Sequence, residues 1–434
     1  MLPANDAEAL ILSLVKPLDP VCDAEAADLS ESLGQILAQD ITSNLDFPHW
    51  DNSAMDGYAV RFADVQQANA ANPVRLTVVE DIPAGKVPQQ QIQPGQTARI
   101  LTGSMMPAGA DTIVIQENTQ RQGDRVVILS APQPQGFVRH RASYHQAGAT
   151  LLKRGTVLNA PEIAILAAAQ CPQVTVYRRP TVAILSTGDE LVDPNQPLQP
   201  GQIVDSNQYA LAALVAQAGA MPLCMGIVPD DPAVLEDKIA AAIAQSDIVL
   251  SSGGVSVGDY DYVDQILQHL GATLHIRAVA VKPGKPLTVA TVPAPKINAG
   301  TDEKVPPKLY FGLPGNPVSA LVSFWRFVEP ALRKRSGLSE GWSPICVQGR
   351  SRQVLKTGGK RETYLWGQLY ATEQGFEFAI ASGGHSSGNL VNLGTTNALA
   401  VIPVGTTEIS AGETVRIMMV GRPATKNVSS MSKA

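Results

Sequence analysis

The sequence predicts a multidomain α/β plus β protein. Its parts are a central, doubly wound, mostly parallel α/β domain, an inserted small β domain, an N-terminal helical or mixed region and a barrel-like C-terminal β domain. Three observations lead there. Between about residues 179 and 338 strand-like and helix-like runs alternate, the pattern of parallel strands with helices over both faces. On either side of that stretch come short strand-like runs broken by Pro and Gly. A chain of 434 residues, 44% apolar and 17% charged, can also bury cores in roughly three domains.

Residues 1–50 read as helix, Ala7 to Val15 and Ala24 to Leu37, leading into an extended exit. Residues 51–140 carry strand-like runs at Arg75 to Val79, Thr112 to Ile115 and Arg125 to Leu129 and form the inserted β domain. A helix over Gly155 to Ala169, with Pro161 near its start, lets residues 141–178 rejoin 1–50 as one discontinuous domain.

In the central domain, 179–338, the predicted strands are Thr181 to Leu185, Leu223 to Val228, Ile248 to Leu250, Ala278 to Val281, Leu287 to Thr291 and Lys308 to Phe311. Helices lie over Asn207 to Ala218 and Pro232 to Gln245, the second with Asp231 as N-cap and Pro232 in its first turn. Val292 to Pro307 reads as a surface excursion. Residues 339–424 return to short β segments such as Ala398 to Ile402 and Thr414 to Met419, and 425–434 form a tail.

A net charge of −6 gives no field to attract nucleic acid or an acidic membrane. Arg178-Arg179 and Arg333 to Arg335 read as solvated surface, the second as a helix end where cations suit the dipole. Cys22, Cys171, Cys224 and Cys346 form no Cys-x-x-Cys pair and read as reduced, buried thiols. The start of the chain, with Asp6 and Glu8, lacks the pattern of a signal peptide. The longest apolar stretch, Ala210 to Val228, is cut by Gly219, Pro222 and Gly226 and reads as helix then strand, so a cytoplasmic protein is expected.

Ligands of open α/β sheets bind beyond the carboxyl ends of the strands. Four loops are expected at that edge: Thr187 to Glu190, Ser251 to Gly258, Lys282 to Lys285 and Leu313 to Pro317. Together they bring glycine backbones, hydroxyls and two lysines for an anion. Asp189, Glu190, Asp259 and Asp261 add oxygens for a phosphate-bound Mg²⁺. Taken singly, each loop is also readable as a plain turn, and the lysines as solvated charge. There is no Gly-x-x-x-x-Gly-Lys-Ser/Thr loop, no Gly-x-Gly-x-x-Gly after a strand and no His-x-x-x-His pair.

The strings Asp51-Asn-Ser-Ala-Met-Asp-Gly-Tyr-Ala59, Thr187-Gly-Asp-Glu-Leu191, Asp205-Ser-Asn207, Ser252-Gly-Gly-Val-Ser-Val-Gly258, Lys282-Pro-Gly-Lys-Pro286 and Leu313-Pro-Gly-Asn-Pro-Val-Ser319 resemble the MoeA/gephyrin family of molybdopterin molybdenumtransferases. The match runs from near residue 5 to near residue 420. What the resemblance implies is a MogA-like central domain and insertion of molybdate into adenylylated molybdopterin with release of AMP and use of Mg²⁺. It also implies a homodimer, joined through the N-terminal domain, whose cleft lies between the α/β domain of one subunit and the C-terminal β domain of the other. A molybdopterin adenylyltransferase and apo-molybdoenzymes would be transient partners.

By the same resemblance, Ser252, Gly253, Gly254, Ser256 and Gly258 with Pro314, Gly315, Asn316 and Pro317 would cradle pterin and phosphate, beside Asp205 and Ser206. Asp56 and Thr102 would reach in from the inserted domain. Glu190, Asp230 and Asp261 match acidic positions assigned to the metal, and Lys282 and Lys285 basic ones for the oxyanion. Arg361 and Ser387 match in the C-terminal domain and would be lent across the dimer. One departure is visible: Val138-Arg-His-Arg-Ala-Ser-Tyr144 carries Ser143 and Tyr144 where the family writes two carboxylates. A MogA-type adenylyltransferase and a non-catalytic molybdopterin-binding scaffold or carrier are the alternatives. The absence of any long charged or low-complexity linker counts against the scaffold.

Overall fold

The computed structural model describes residues 1–254, 262–293 and 306–425. The chain divides into two compact units, one of residues 1–39, 155–160 and 173–434, the other of residues 40–154 and 161–172.

The first unit is built on a six-stranded sheet. Its strands are β1 (Thr181–Thr187), β2 (Met221–Val228), β3 (Ile248–Ser252), β4 (Thr273–Ala278), β5 (Pro286–Val292) and β6 (Lys308–Leu313). They lie in the order β2-β1-β3-β6-β5-β4. The first four are mutually parallel, while β5 runs antiparallel to both β6 and β4, so the expected parallel sheet is mixed at one edge. Alternation along each central strand sends side chains to two buried faces. Val182, Ile184, Ile248, Leu250, Leu309 and Phe311 enter one core, and Ala183, Leu185, Val249 and Tyr310 the other.

Helix α1 (Asn207–Gln217) covers the first face through Leu211 and Val215. The second is covered by α2 (Pro232–Gln245) and α3 (Tyr262–His269). Helix α2 starts as its residues dictate: Asp231 accepts from the N–H groups of Ala233 and Val234, at 2.9 and 3.0 Å. Also on the first face lies a long helix made of Pro317–Ser323, a π-wound turn Phe324–Val328 and Glu329–Arg335.

The C-terminal strands β7 (Cys346–Ser351), β8 (Glu362–Thr372), β9 (Gly375–Ile380), β10 (Ala398–Ile402) and β11 (Thr414–Met419) close into a five-stranded barrel. Closure depends on β8, whose first half pairs with β10 and whose second half pairs with β9. Gly367 belongs to both ladders, opposite Ile380 and Ala398. A Cβ there would sit 2.1 Å from the Ala379 carbonyl oxygen and 2.8 Å from the Phe378 ring, so only glycine fits. Leu365, Leu369, Phe378 and Ile417 fill the interior. The outward Tyr364, Trp366, Leu399, Val401 and Met418 instead join the core of the α/β sheet.

Several expectations are corrected. Ala24 to Leu37 is not a helix: Ala24–Asp28 is a strand paired with Gln173–Tyr177, followed by the short 3₁₀ turn Leu29–Glu31. Between Gly155 and Ala169 only Ala160–Ala168 is helical. The expected strand Ala278 to Val281 is split, because β4 ends at Ala278 and Val281–Lys282 pairs with β8 of the barrel. Arg178 and Arg335 are not solvated surface: both bind the carboxylate of Asp247, whose side chain is 3% exposed. The cysteines are free, but Cys22 and Cys224 are exposed and the other two half-buried. Val292 to Pro307 lies largely outside the described residues.

The second unit carries a six-stranded sheet in the order Thr112–Ile115, Gly57–Val60, Gln96–Ile100, Val74–Ile82, Arg125–Ile128 and Thr119–Gln122. No described helix is long and apolar enough to cross a membrane.

Candidate active site

The carboxyl ends of β1, β3 and β6 open into a cleft of about 1100 Å³. Three of the four anticipated loops line it, through Thr187, Gly188 and Glu190, Ser252 to Gly254 and Pro314 to Pro317. Its wall is completed by Asp205 to Asn207, Asp230, and Gly388 with Leu390 of the C-terminal domain.

Two glycine-rich turns meet at the floor. Gly253 has φ +94°, and a Cβ on it would lie 2.3 Å from the Thr187 carbonyl oxygen. Only a glycine lets β3 turn that closely past β1. Asn207, 7% exposed at the start of α1, joins the turns: its Nδ2 donates to Ser252 Oγ at 2.6 Å and to the Gly315 carbonyl at 2.8 Å. Asp205, 2% exposed, accepts from the N–H of Gln208 at 3.2 Å and from its Nε2 at 3.4 Å, and Gln208 Oε1 in turn accepts from Gly226 N–H at 2.9 Å.

Ser186 Oγ, Thr187 Oγ1 and Asn207 Oδ1 are buried and find no hydrogen-bond partner among the described residues. Buried polar atoms are nearly always paired, and all three residues line one cleft. The cleft thus holds unspent hydrogen-bonding capacity beside glycine backbone and the first turns of two helices, which suits an anionic, hydrogen-bonding ligand. Sequence reasoning passed over Ser186, and did not assign roles to Thr187 and Asn207, although both stand inside strings quoted for their glycines and carboxylates.

The acidic side of the cleft is also defined. Glu190 and Asp230 line it, and the Asp230 N–H donates to Asp189 Oδ1 at 3.1 Å. Loss of solvent around the carboxyl, then the negative charges of Asp189 and Glu190, raise the pKa of Asp230 above the ordinary carboxylate value. Among the described residues no three His, Cys, Asp or Glu side chains are arranged to hold a metal ion. Ser256, Gly258, Asp259 and Asp261 lie outside the described residues.

The remaining candidates sit elsewhere. Lys282 and Lys285 leave the same sheet edge after β4, but neither lines the cleft; Lys282 is drawn into the barrel sheet opposite Thr363. Arg361 lies next to it, donating from Nη1 to the Val281 carbonyl at 3.0 Å. Ser387 offers its carbonyl to the Val318 N–H at 3.1 Å, so within the chain its loop rests beside the start of the helix that follows β6. In the second unit, Asp56 accepts from both the N–H and the hydroxyl of Thr102 at 2.7 Å, which lowers its pKa. They meet because the strands carrying Gly57 and Ile100 are paired. Tyr144 is 70% exposed in that unit. Near it, the backbone of Arg141 is held by Asp51 at 2.7 Å, so a carboxylate from another segment stands beside the position of the family's acidic pair.

Three family models match in succession: "MoeA N-terminal region (domain I and II)" over residues 2–169, "Probable molybdopterin binding domain" over 183–334 and "MoeA C-terminal region (domain IV)" over 348–420. A curated molybdopterin molybdenumtransferase of Nostoc sp. is 59% identical over 416 residues, covering 96% of this chain and 93% of the relative. The chain belongs to the MoeA family. A molybdopterin molybdenumtransferase of Haemophilus influenzae is 34% identical to this MoeA-family chain, over 91% of it and 93% of the relative. The crystal structure of the molybdopterin biosynthesis moeA protein from Pyrococcus horikoshii superposes with a TM-score of 0.80 at 29% identity, covering 96% of this chain and all of that one. The family membership and the barrel-bearing, mixed α/β architecture are as the sequence implied.

Proposed function

We propose that this MoeA-family chain is a molybdopterin molybdenumtransferase, which takes adenylylated molybdopterin and molybdate and releases AMP with the molybdenum cofactor. The observation that carries the reading is the cleft itself, with buried Ser186, Thr187 and Asn207 atoms that find no partner among the described residues, in a chain 59% identical to a curated transferase of that name. Ser252 to Gly254 and Pro314 to Pro317 bind the phosphate and pterin through N–H and hydroxyl donors. Molybdate is a dianion approaching an anionic phosphoanhydride, so its charge has to be offset before reaction; Lys282, Lys285 and Arg361 are the cations assigned to that task.

Mg²⁺ is part of the reading. It is commonly held by one or two carboxylates plus substrate phosphate oxygens, and Glu190 with Asp230 fits that donor set. Loss of solvent and then the charges of Asp189 and Glu190 raise the pKa of Asp230, which supports the reading because a cation there would relieve repulsion. When bound, the ion neutralises phosphate charge; the residues orient the substrate around it. The reading also includes a homodimer in the cytoplasm, served by an adenylyltransferase and emptied by apo-molybdoenzymes. Light scattering is expected to return twice the mass of the chain, and a monomer would remove the dimer from the reading.

The deciding experiment supplies purified protein with adenylylated molybdopterin, Mg²⁺ and molybdate. AMP release and activation of a cofactor-free molybdoenzyme, without ATP consumption, are expected; ATP consumption instead would point to an adenylyltransferase. Lys282→Ala and Lys285→Ala are each expected to raise the molybdate KM roughly tenfold or more. An unchanged molybdate dependence in both would sink the oxyanion assignment.

A further inference from the structure

We propose that Arg326, acting through Tyr364 and Glu362, is a positioning residue for the basic pair Lys282 and Arg361. This rests on the reading of that pair as the oxyanion-binding group and adds a device that holds it in place.

Arg326 stands on the π-wound turn of the long helix that begins at Pro317, a rare winding that places its side chain between the N-terminal helix Ala4–Leu14 and the barrel. Its side chain is 6% exposed, and all three guanidinium nitrogens are engaged. Nη1 binds Glu8, Nη2 donates to Asn5 Oδ1 at 2.8 Å, and Nε donates to the Tyr364 hydroxyl at 2.9 Å. Tyr364, 1% exposed, passes the hydrogen bond on by donating to Glu362. Beyond Glu362 the chain of contacts reaches the basic pair directly. The Glu362 N–H donates to the Ala280 carbonyl at 3.1 Å, Glu362 faces Val281 in the ladder, and Thr363 faces Lys282. Arg361, the preceding residue, donates to the Val281 carbonyl.

The ladder is only two residues long, and β8 is held to its other neighbour, β10, only from Thr363 onward, which leaves Glu362 at the end of both ladders. A cavity of about 110 Å³, lined among others by Glu8, Arg326, Glu362, Tyr364 and Arg416, lies beside the relay. Beside that space, the hydrogen bond from Tyr364 fixes the Glu362 carboxylate. Releasing it frees the first residue of β8, and with it the strand pair that presents Lys282 and Arg361. A misplacement on the scale of an ångström is enough to weaken a charge contact with substrate.

The test compares Tyr364→Phe, Glu362→Ala and Glu362→Gln in the full-length protein. Tyr364→Phe keeps the aromatic ring in the core and removes the relay. The expected result is a molybdate KM raised roughly three- to tenfold with the KM for adenylylated molybdopterin unchanged. Glu362→Ala is expected to do the same, while Glu362→Gln, which still accepts from Tyr364, stays near wild type. Asp247→Asn is the control for lost stability alone: it destabilises the same unit from the opposite sheet edge and should leave the molybdate KM unchanged. Should Tyr364→Phe fail to fold, the two Glu362 variants decide. If molybdate KM stays at the wild-type value in Tyr364→Phe or in Glu362→Ala, while Lys282→Ala and Arg361→Ala raise it, the positioning role is refuted and the oxyanion reading stands. If Lys282→Ala and Arg361→Ala also leave it unchanged, the oxyanion reading fails and takes the relay with it.

Discussion

Asp247→Asn is expected to cost about 2–4 kcal/mol of stability, because it strips the negative charge from a site where two arginines converge. Arg178 donates to Asp247 from Nη1 and Nη2 at 2.7 and 3.0 Å, Arg335 from Nη2 at 2.7 Å, and the Thr181 N–H at 2.8 Å. Arg178 also holds Asp23 at 2.8 Å and Arg335 the Lys16 carbonyl at 2.8 Å, so the carboxylate ties the N-terminal segment to the sheet and to the end of the long helix. Asparagine would keep the shape and leave both cations undercompensated. Arg178 remains a third exposed, which keeps the figure below that for a fully buried pair.

The effect has a pH signature. Burial pushes the Asp247 carboxyl up, but the hydrogen bonds from Arg178, the charge and hydrogen bond of Arg335 and the Thr181 N–H outweigh it and hold it well below the usual carboxylate range. A depressed folded value means the contribution is complete above the unfolded value of about 4 and is lost as pH falls below it. The stability gap between wild type and Asp247→Asn, read by urea denaturation, should therefore be constant from pH 5 to 8 and shrink below about pH 4. A gap that stayed constant down to pH 2 would show that the charge is not what stabilises.

Gly253→Ala is expected to lower binding of adenylylated molybdopterin by roughly 100-fold or more while the melting temperature falls only slightly. The new methyl would lie only 2.3 Å from the Thr187 carbonyl oxygen, at a φ of +94° that L-residues avoid. Relief requires the turn after β3 to move, and that turn is the cleft floor, where the Gly253 N–H also meets the Leu313 carbonyl at 3.3 Å. The barrel and the second unit contain none of these contacts and should fold as before. Binding retained within twofold would show that the turn does not touch the ligand.

Much of this was legible in the sequence because it is written in local chemistry. Asp231 and Pro232 marked the start of α2, and the buried runs of β1, β3 and β6 announced strands covered on both faces. The glycine strings placed four loops at one sheet edge, and three of them line the cleft. What escaped depends on partners far along the chain. Alanine-rich Ala24–Asp28 favours a helix in isolation, yet it is a strand because Gln173–Tyr177 pairs with it. Arg178 and Arg335 looked solvated because Asp247 is 69 and 88 residues away. The pairing of Val281 and Lys282 with Glu362 and Thr363 has no signature in their own neighbourhood either, because the partner strand lies far along the chain. That Asn207 Oδ1 finds no partner among the described residues is likewise a property of packing and has no signature in residue type.

The outward face of the barrel, Tyr364, Trp366, Leu399, Val401 and Met418, completes the same core that β1, β3 and β6 begin. The two modules have separate sheets, the barrel keeps an interior of its own, and one core is common to both. Their amide protons should accordingly exchange as a single cooperative block, each lending the other part of its resistance to opening. A fold joined in this way has little freedom to evolve its barrel independently. Substitutions at those five outward positions would be felt on both sides of the boundary, and the barrel persists as part of the sheet's structural support as much as a domain in its own right.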